Sequence, residues 1–217
     1  MTQAATWPAG YRCGVAFSVD LDAESLDMVR APAGNLWGRY SHGRYGLRVG
    51  VYRVLEIFKE HTVRATFFVP AWDAEREGRL MEEILREGHE IAAHGYAHED
   101  HGCLGEDERA TLEKAHHVLS LVCGRPPVGW RAPGGRLSAR TLTHLVDLGY
   151  QYDASFYDDD LPHEIECSDG RSLLEMIPQF PFLNDTRSIK SSGRPSRCRR
   201  CGLRSLRRST TRACCSA

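Results

Sequence analysis

The stretch Ala65-Thr-Phe-Phe-Val-Pro70, then Asp73 to Glu87, then His89-Glu-Ile-Ala-Ala-His94 decides the fold. The first run is short, apolar and closed by proline, the pattern of a buried strand. Asp73 to Glu87 is charged but sets Leu80, Ile84 and Leu85 at helical spacing, and Gly88 stands where a helix stops. The second short run ends on a histidine. Strand, helix, strand is one βα unit, and the pattern repeats outward in both directions. On the N-terminal side, Val15-Ala-Phe-Ser-Val-Asp20 predicts a strand ending in a carboxylate. Gly46 to His61 puts Leu47, Val51, Val54, Leu55 and Phe58 on one helical face. On the C-terminal side, Glu106 to Cys123 predicts a helix stopped by Gly124, and Val128 to Pro133 a strand. Ser138 to Leu148 predicts a helix capped by Ser138, with strands at Tyr150–Ser155 and Leu173–Phe180. The fold class is therefore α/β with a parallel sheet.

In parallel α/β folds the C-terminal ends of the strands are where sites are built. Here those ends carry Asp20 and Asp22, His94 and His98, Arg131, and Asp153. Asp20-Leu-Asp22 places two carboxylates on one side of an extended segment, where they repel unless a cation or a proton intervenes. His94-Gly-Tyr-Ala-His98 spaces two histidines so that one face of a turn or helix can aim both at one metal. Two histidines and one aspartate make a three-ligand set with positions left open for water and substrate, and the other aspartate can serve as general base. Trp130-Arg-Ala-Pro-Gly-Gly135 adds a fixed cation, Arg131, able to keep a carboxylate ionised and oriented. Each element alone has a plain reading as surface polarity, and His116-His117 shows it: adjacent histidines in mid-helix that point apart.

Taken together these motifs resemble the polysaccharide deacetylases, the NodB-homology carbohydrate esterases, and among them the cytoplasmic branch of peptidoglycan-deacetylase-like and allantoinase-like proteins. The resemblance runs from about Tyr11 to Asp185. It is carried by Ser18-Val-Asp-Leu-Asp-Ala23, Ala65 to Pro70, and Gly88-His-Glu-Ile-Ala-Ala-His-Gly-Tyr-Ala-His-Glu99, with weaker support from Arg131-Ala-Pro-Gly-Gly135 and Tyr152-Asp-Ala-Ser-Phe156. It implies a distorted (β/α) barrel, incomplete here at the C-terminus. It also implies that Asp22, His94 and His98 hold a divalent metal, zinc first. In the same scheme Asp20 is the catalytic base, Arg131 holds that base, and the Gly134 amide stabilises the oxyanion. Gly134 stands where the family carries an aromatic residue, so one wall of a substrate groove is expected to be absent. The implied activity is removal of N-acetyl or N-acyl groups from amino sugars or polysaccharide by metal-activated water. The alternatives are cyclic amide or ureide hydrolysis as in the allantoinase-like branch, and an inactive truncated family member. A two-histidine, one-carboxylate iron oxygenase has the same donors, but such enzymes sit on antiparallel double-stranded β-folds.

Composition sets the outer limits. The chain has 217 residues, 41% hydrophobic and 26% charged, as expected of a folded soluble protein. No stretch is long and apolar enough to span a membrane, and Met1 to Gly14 has no apolar run behind a basic start, so the expected compartment is the cytoplasm. Cys13, Cys103, Cys123 and Cys167 show no framework spacing and read as free thiols. Ten of the 28 basic residues, and none of the 29 acidic ones, lie from Thr186 onward, which marks a boundary. Residues 1–185 are expected to form the catalytic domain, and residues 186–217 a basic, disordered tail without a core. Arg194-Pro-Ser-Arg-Cys-Arg-Arg-Cys-Gly-Leu-Arg204 is the kind of run a GC-rich gene gives when read out of frame, and a frame change near residues 186–190 is expected. The family's late His-Pro element, whose histidine acts as general acid, has no counterpart in the chain. The tail's paired cysteines lack zinc-ribbon spacing, and it has no aromatics to stack on bases, so no specific nucleic-acid partner is expected. The expected partner is a small-molecule or oligosaccharide N-acetylated substrate, with no membrane, and the sequence allows a homo-oligomer.

Overall fold

Strand β1 (Ser18–Asp20) opens a sheet whose next members are β2 (Thr66–Val69) and β3 (Glu90–Ala93), both buried over their last three residues. The computed structural model describes residues 10–11, 13–30, 35–159 and 161–178. The short strands β4 (Gly129–Trp130), β5 (Tyr152–Asp153), β6 (His163–Glu166) and β7 (Ser172–Glu175) complete the order β1-β2-β3-β4-β5-β7-β6. Pairing is parallel from β1 through β5 to β7. The α/β class and its parallel sheet are thus as the sequence predicts. The register sets Asp20 opposite Phe68, Phe68 opposite Ala92, Ala93 opposite Trp130, and Trp130 opposite Asp153. The residues just past these rows (Leu21 and Asp22, His94, Arg131) therefore emerge at one edge of the sheet.

Helices return the chain between strands. They are α1 (Glu24–Arg30), α2 (His42–Tyr45), α3 (Val51–Glu60), α4 (Ala71–Arg76), α5 (Gly78–Arg86), α6 (Glu108–Cys123) and α7 (Thr141–Asp147). Phe67, Val69, Met81, Ile84, Leu112, Leu119, Trp130 and Leu145 are fully buried between helices and sheet. Burial of each large side chain contributes about 1.5–3 kcal/mol.

Three local expectations are corrected. The single helix expected over Asp73–Glu87 is two helices, broken at Glu77 (φ −117°, ψ 42°). Gly78 follows the break, and glycine costs about 1 kcal/mol in a helix interior. The predicted stop at its far end holds: Gly88 takes φ +85°, with its amide and that of His89 bonded back to Leu85 and Ile84. The helix expected from Gly46 begins as a π-helical turn, Gly46–Gly50, before α3. Ser138 does not cap α7 directly. Its hydroxyl accepts from the Arg140 amide at 3.0 Å, and its carbonyl from the Thr141 amide at 3.3 Å, so the helix starts later. The sequence reading also passed over α1 and β6.

The residues group into two units. The larger holds Ala16–Ser155 and Glu164–Met176, and with them the motif-bearing strand ends. The other comprises Met1–Val15, Phe156–His163 and Ile177–Ala217, most of which falls outside the described residues. The expected tail, residues 186–217, lies wholly outside them. Cys13, Cys103, Cys123 and Cys167 are free. Among the described residues no helix is long and apolar enough to cross a membrane.

Candidate metal centre

Asp22 leaves β1 two residues past its end, and the Leu21 amide is tied to the Phe68 carbonyl at 2.9 Å, which anchors the segment that carries it. His94 follows β3 directly, its amide bonded to the Val69 carbonyl at 3.1 Å. His98 is delivered by a tight turn, not by a helix. Gly95 (φ +70°) and His98 (φ +62°) are both left-handed, so the two histidines converge by a reversal of the backbone. The four-residue spacing thus works here through a turn and not a helix face.

The donor atoms of Asp22, His94 and His98 all lie within 4.8 Å of one another. His94 Nε2 is 3.2 Å from Asp22 Oδ1, and His98 Nε2 is 3.6 Å from Asp22 Oδ2. Donors at the corners of a tetrahedron, about 2.1 Å from its centre, stand about 3.4 Å apart. The two separations straddle that value, so this donor set fits a zinc-like ion.

Hydrogen bonding supports the same fit. His94 Nδ1 lies 2.8 Å from the Arg131 carbonyl oxygen, which can only accept, so Nδ1 carries the proton. In neutral His94 the lone pair is then on Nε2 and faces Asp22. This is how metal-ligating histidines are held, with the far nitrogen bonded to a carbonyl or carboxylate. Asp22 Oδ1 is buried and has no hydrogen bond of acceptable geometry despite the nearby ring. Two acceptors facing each other in a buried site need a proton or a cation between them. Without an ion, burial lowers the His94 pKa, but the close Asp22 carboxylate, the Asp20 charge and the Arg131 carbonyl outweigh it and raise the value above the ordinary one. Burial likewise raises Asp22, and the two histidines overturn that, holding its carboxyl far below the usual range.

Arg131 and Asp20 flank the cluster. Arg131 Nη1 donates to Asp20 Oδ1 at 2.5 Å and to Ser18 Oγ at 3.1 Å, while Nε donates to the Ala154 carbonyl at 2.9 Å. Its guanidinium lies 3.9 Å above the Phe68 ring. Every rotatable bond of this arginine is thus constrained, as a residue that orients a carboxylate requires. Asp20 keeps 40% of its side chain exposed and has room for a second partner. Gly134 is exposed and left-handed (φ +62°). The turn around it uses the amides of Gly135 and Arg136, and the Gly134 amide makes no hydrogen bond to a described residue. A free amide of that kind can donate to a developing negative oxygen.

Asp153, the last of the strand-end residues, is fully buried and paired with a second carboxyl, Glu175. Its Oδ1 accepts from Ser155 Oγ at 2.6 Å, and Ser155 Oγ accepts in turn from the Ala132 amide at 2.8 Å. Burial, then the Glu175 charge, pushes its pKa well up. Through Ser155 it is thus linked to the backbone between Arg131 and Gly134. Ser18 and Ser155 stand in the sequence only as members of motifs, because a serine in or just past a strand carries no signal of its own. Glu99 was quoted only as the end of a motif, though it touches the His94–His98 turn.

Residues 45–152 match the family model for polysaccharide deacetylase. A peptidoglycan deacetylase of Helicobacter pylori is 31% identical over 168 residues, 74% of this chain and 56% of that protein. A peptidoglycan deacetylase-like protein of Gibberella zeae is 34% identical over 148 residues, 66% of this chain and 44% of that protein. The chain thus spans about half the length of these curated relatives. A crystal structure from Mycobacterium smegmatis, assigned as a polysaccharide deacetylase, superposes with TM-score 0.75 at 42% identity, covering 81% of this chain and 62% of that one. An allantoinase structure superposes with TM-score 0.71 at 29% identity, covering 83% and 66%.

Proposed function

The chain belongs to the polysaccharide deacetylase family, and from that premise we propose that it hydrolyses the N-acetyl amide of amino sugars or their oligomers, with a divalent metal at Asp22, His94 and His98. The observation that carries the reading is the convergence of these three donors beside a carboxylate, Asp20, that an immobilised arginine holds. A divalent ion held there, zinc first, would supply a Lewis acid and lower the pKa of water.

The chain's own residues have the remaining tasks. Asp20 takes a proton from the attacking water. Arg131 fixes which oxygen of Asp20 faces the water, because its Nη1 occupies Oδ1. The Gly134 amide donates to the acyl oxygen as negative charge gathers on it. The amide C–N bond breaks, the proton taken from water ends on the amine, and the carboxylic acid so formed gives up its own proton to leave as a carboxylate. A group positioned to deliver that proton would be worth about 10²–10⁴-fold.

The likeness to an allantoinase structure supports a second reading, hydrolysis of a cyclic amide or ureide. One assay separates the two. The zinc-loaded chain is offered N-acetylglucosamine oligomers and, separately, a cyclic ureide, and acetate release and ring opening are measured. Acetate from the oligomers alone upholds the first reading. Ring opening alone would replace it with the second.

A further inference from the structure

The turn that carries His98 holds its backbone against its own preference, and the residue that holds it is Glu99. A left-handed conformation is unfavourable for an L-residue other than glycine, and His98 adopts it at φ +62°. Such a conformation persists only where the surroundings over-determine it. Here both sides of the turn are engaged. Its carbonyls at Gly95 and Tyr96 accept from the Ala71 and Trp72 amides at 3.1 and 2.8 Å, which serve as the otherwise unpartnered first amides of α4. Its amides at Tyr96 and Ala97 donate to one carboxylate, Glu99 Oε2 at 3.0 Å and Oε1 at 2.8 Å. The carboxylate closes the turn like a two-pronged clip, and the residue enclosed between clip and turn is the metal-ligand candidate His98.

Space around the turn is equally constrained. A methyl group on Gly95 would stand 3.0 Å from Glu99 Oε2, 3.0 Å from Pro133 Cγ and 3.3 Å from His101 Nε2. The carboxylate thus sits where it can reach both amides only because residue 95 has no side chain.

We propose that Glu99 is the positioning residue of the metal site: it fixes the left-handed turn so that His98 Nε2 meets Asp22 and His94 before any ion arrives. The inference rests on the metal-site reading above. Loss of the clip leaves two amides without a protein acceptor and lets His98 relax to a right-handed conformation, which turns its ring away. Partners one step removed from the metal are commonly worth about 10–100-fold in metal affinity.

The test measures zinc affinity of the purified, metal-stripped full chain by chelator competition, alongside the unfolding midpoint of the metal-free protein. Glu99→Ala should weaken zinc binding about 10–100-fold. Glu99→Gln keeps one acceptor oxygen for one of the two amides and should fall between the wild type and Glu99→Ala. A residue that served stability alone would lower the metal-free midpoint and leave affinity untouched, and that result overturns the proposal. If Glu99→Ala does not fold, Glu99→Gln decides: reduced affinity at an unchanged midpoint supports the clip, wild-type affinity refutes it. Asp22→Asn separates the two layers. If the wild type binds zinc and Asp22→Asn does not, yet Glu99→Ala binds as tightly as the wild type, the clip fails and the metal site stands. If the wild type binds no zinc, both fail.

Discussion

Two buried histidines in this protein stand beside carboxylates, and only one of them is part of a candidate metal site. His94 Nε2 is 3.2 Å from Asp22 Oδ1, and His101 Nδ1 is 3.5 Å from Glu108 Oε1. Both rings are inaccessible, at 2% and 0% exposure. The difference lies in what else the carboxylate does. Glu108 accepts from Ser138 Oγ and Thr141 Oγ1, both at 2.5 Å, so its oxygens are already served by hydroxyl donors. Burial then dominates at His101 and lowers its pKa, keeping the ring neutral, packed edge-on against Trp130. Asp22 has no such donors, only a second histidine. A carboxylate saturated by hydroxyls makes a structural contact, whereas one facing two imidazoles has capacity for a cation.

The largest expected effect concerns a feature the second pair does not share, the arginine-held base. Asp20→Asn should slow hydrolysis by about 10²–10⁴-fold while zinc affinity stays at the wild-type level. A matched loss of zinc would make Asp20 a ligand and redraw the site.

Next comes the other side of the comparison. Glu108→Ala leaves the buried Thr141 hydroxyl without its acceptor and opens a space beside His101, at a cost of at least about 1–3 kcal/mol in unfolding free energy. Zinc affinity should not change. A metal-binding defect in a variant that unfolds normally would mean the two histidine sites are coupled.

A third carboxylate sharpens the rule with pH. Asp73 is fully buried and accepts the Ser25 amide, at 3.2 and 3.4 Å to its two oxygens. Burial raises its pKa from 3.8 to about 6 against the bonds from Ser25. Since the folded state holds this proton more tightly, its stabilising effect is full below the unfolded pKa and is lost as pH rises to about 6. The difference is worth about 3 kcal/mol. Asp73→Asn keeps an acceptor for Ser25 and removes the titration, so denaturant unfolding should show it less sensitive than the wild type between pH 4 and 6. Parallel pH profiles would place the proton elsewhere.

Sequence and structure agree most where burial repeats with period. Ala65–Pro70 and His89–His94 announced β2 and β3 because both faces of each strand are covered, and Asp20, Asp22, His94 and Arg131 were legible because they stand at strand ends. What the sequence concealed depends on long-range partners. Glu77 breaks a helix whose amphipathic pattern continues through it. Ser138 looks like a cap and instead serves Glu108. Glu99 follows a histidine motif as an ordinary charged residue, and only the positive φ angles of Gly95 and His98 reveal what its two oxygens hold.

The central claim, that Asp22, His94 and His98 form one cation site, is tested most directly by calorimetric titration of the metal-stripped chain with zinc, beside Asp22→Asn and Glu108→Gln. The account predicts one equivalent bound by the wild type and by Glu108→Gln, and a loss in Asp22→Asn that exceeds the roughly 10–100-fold typical of residues one step removed from the metal. Zinc bound equally well by Asp22→Asn, or not bound by the wild type at all, would contradict it.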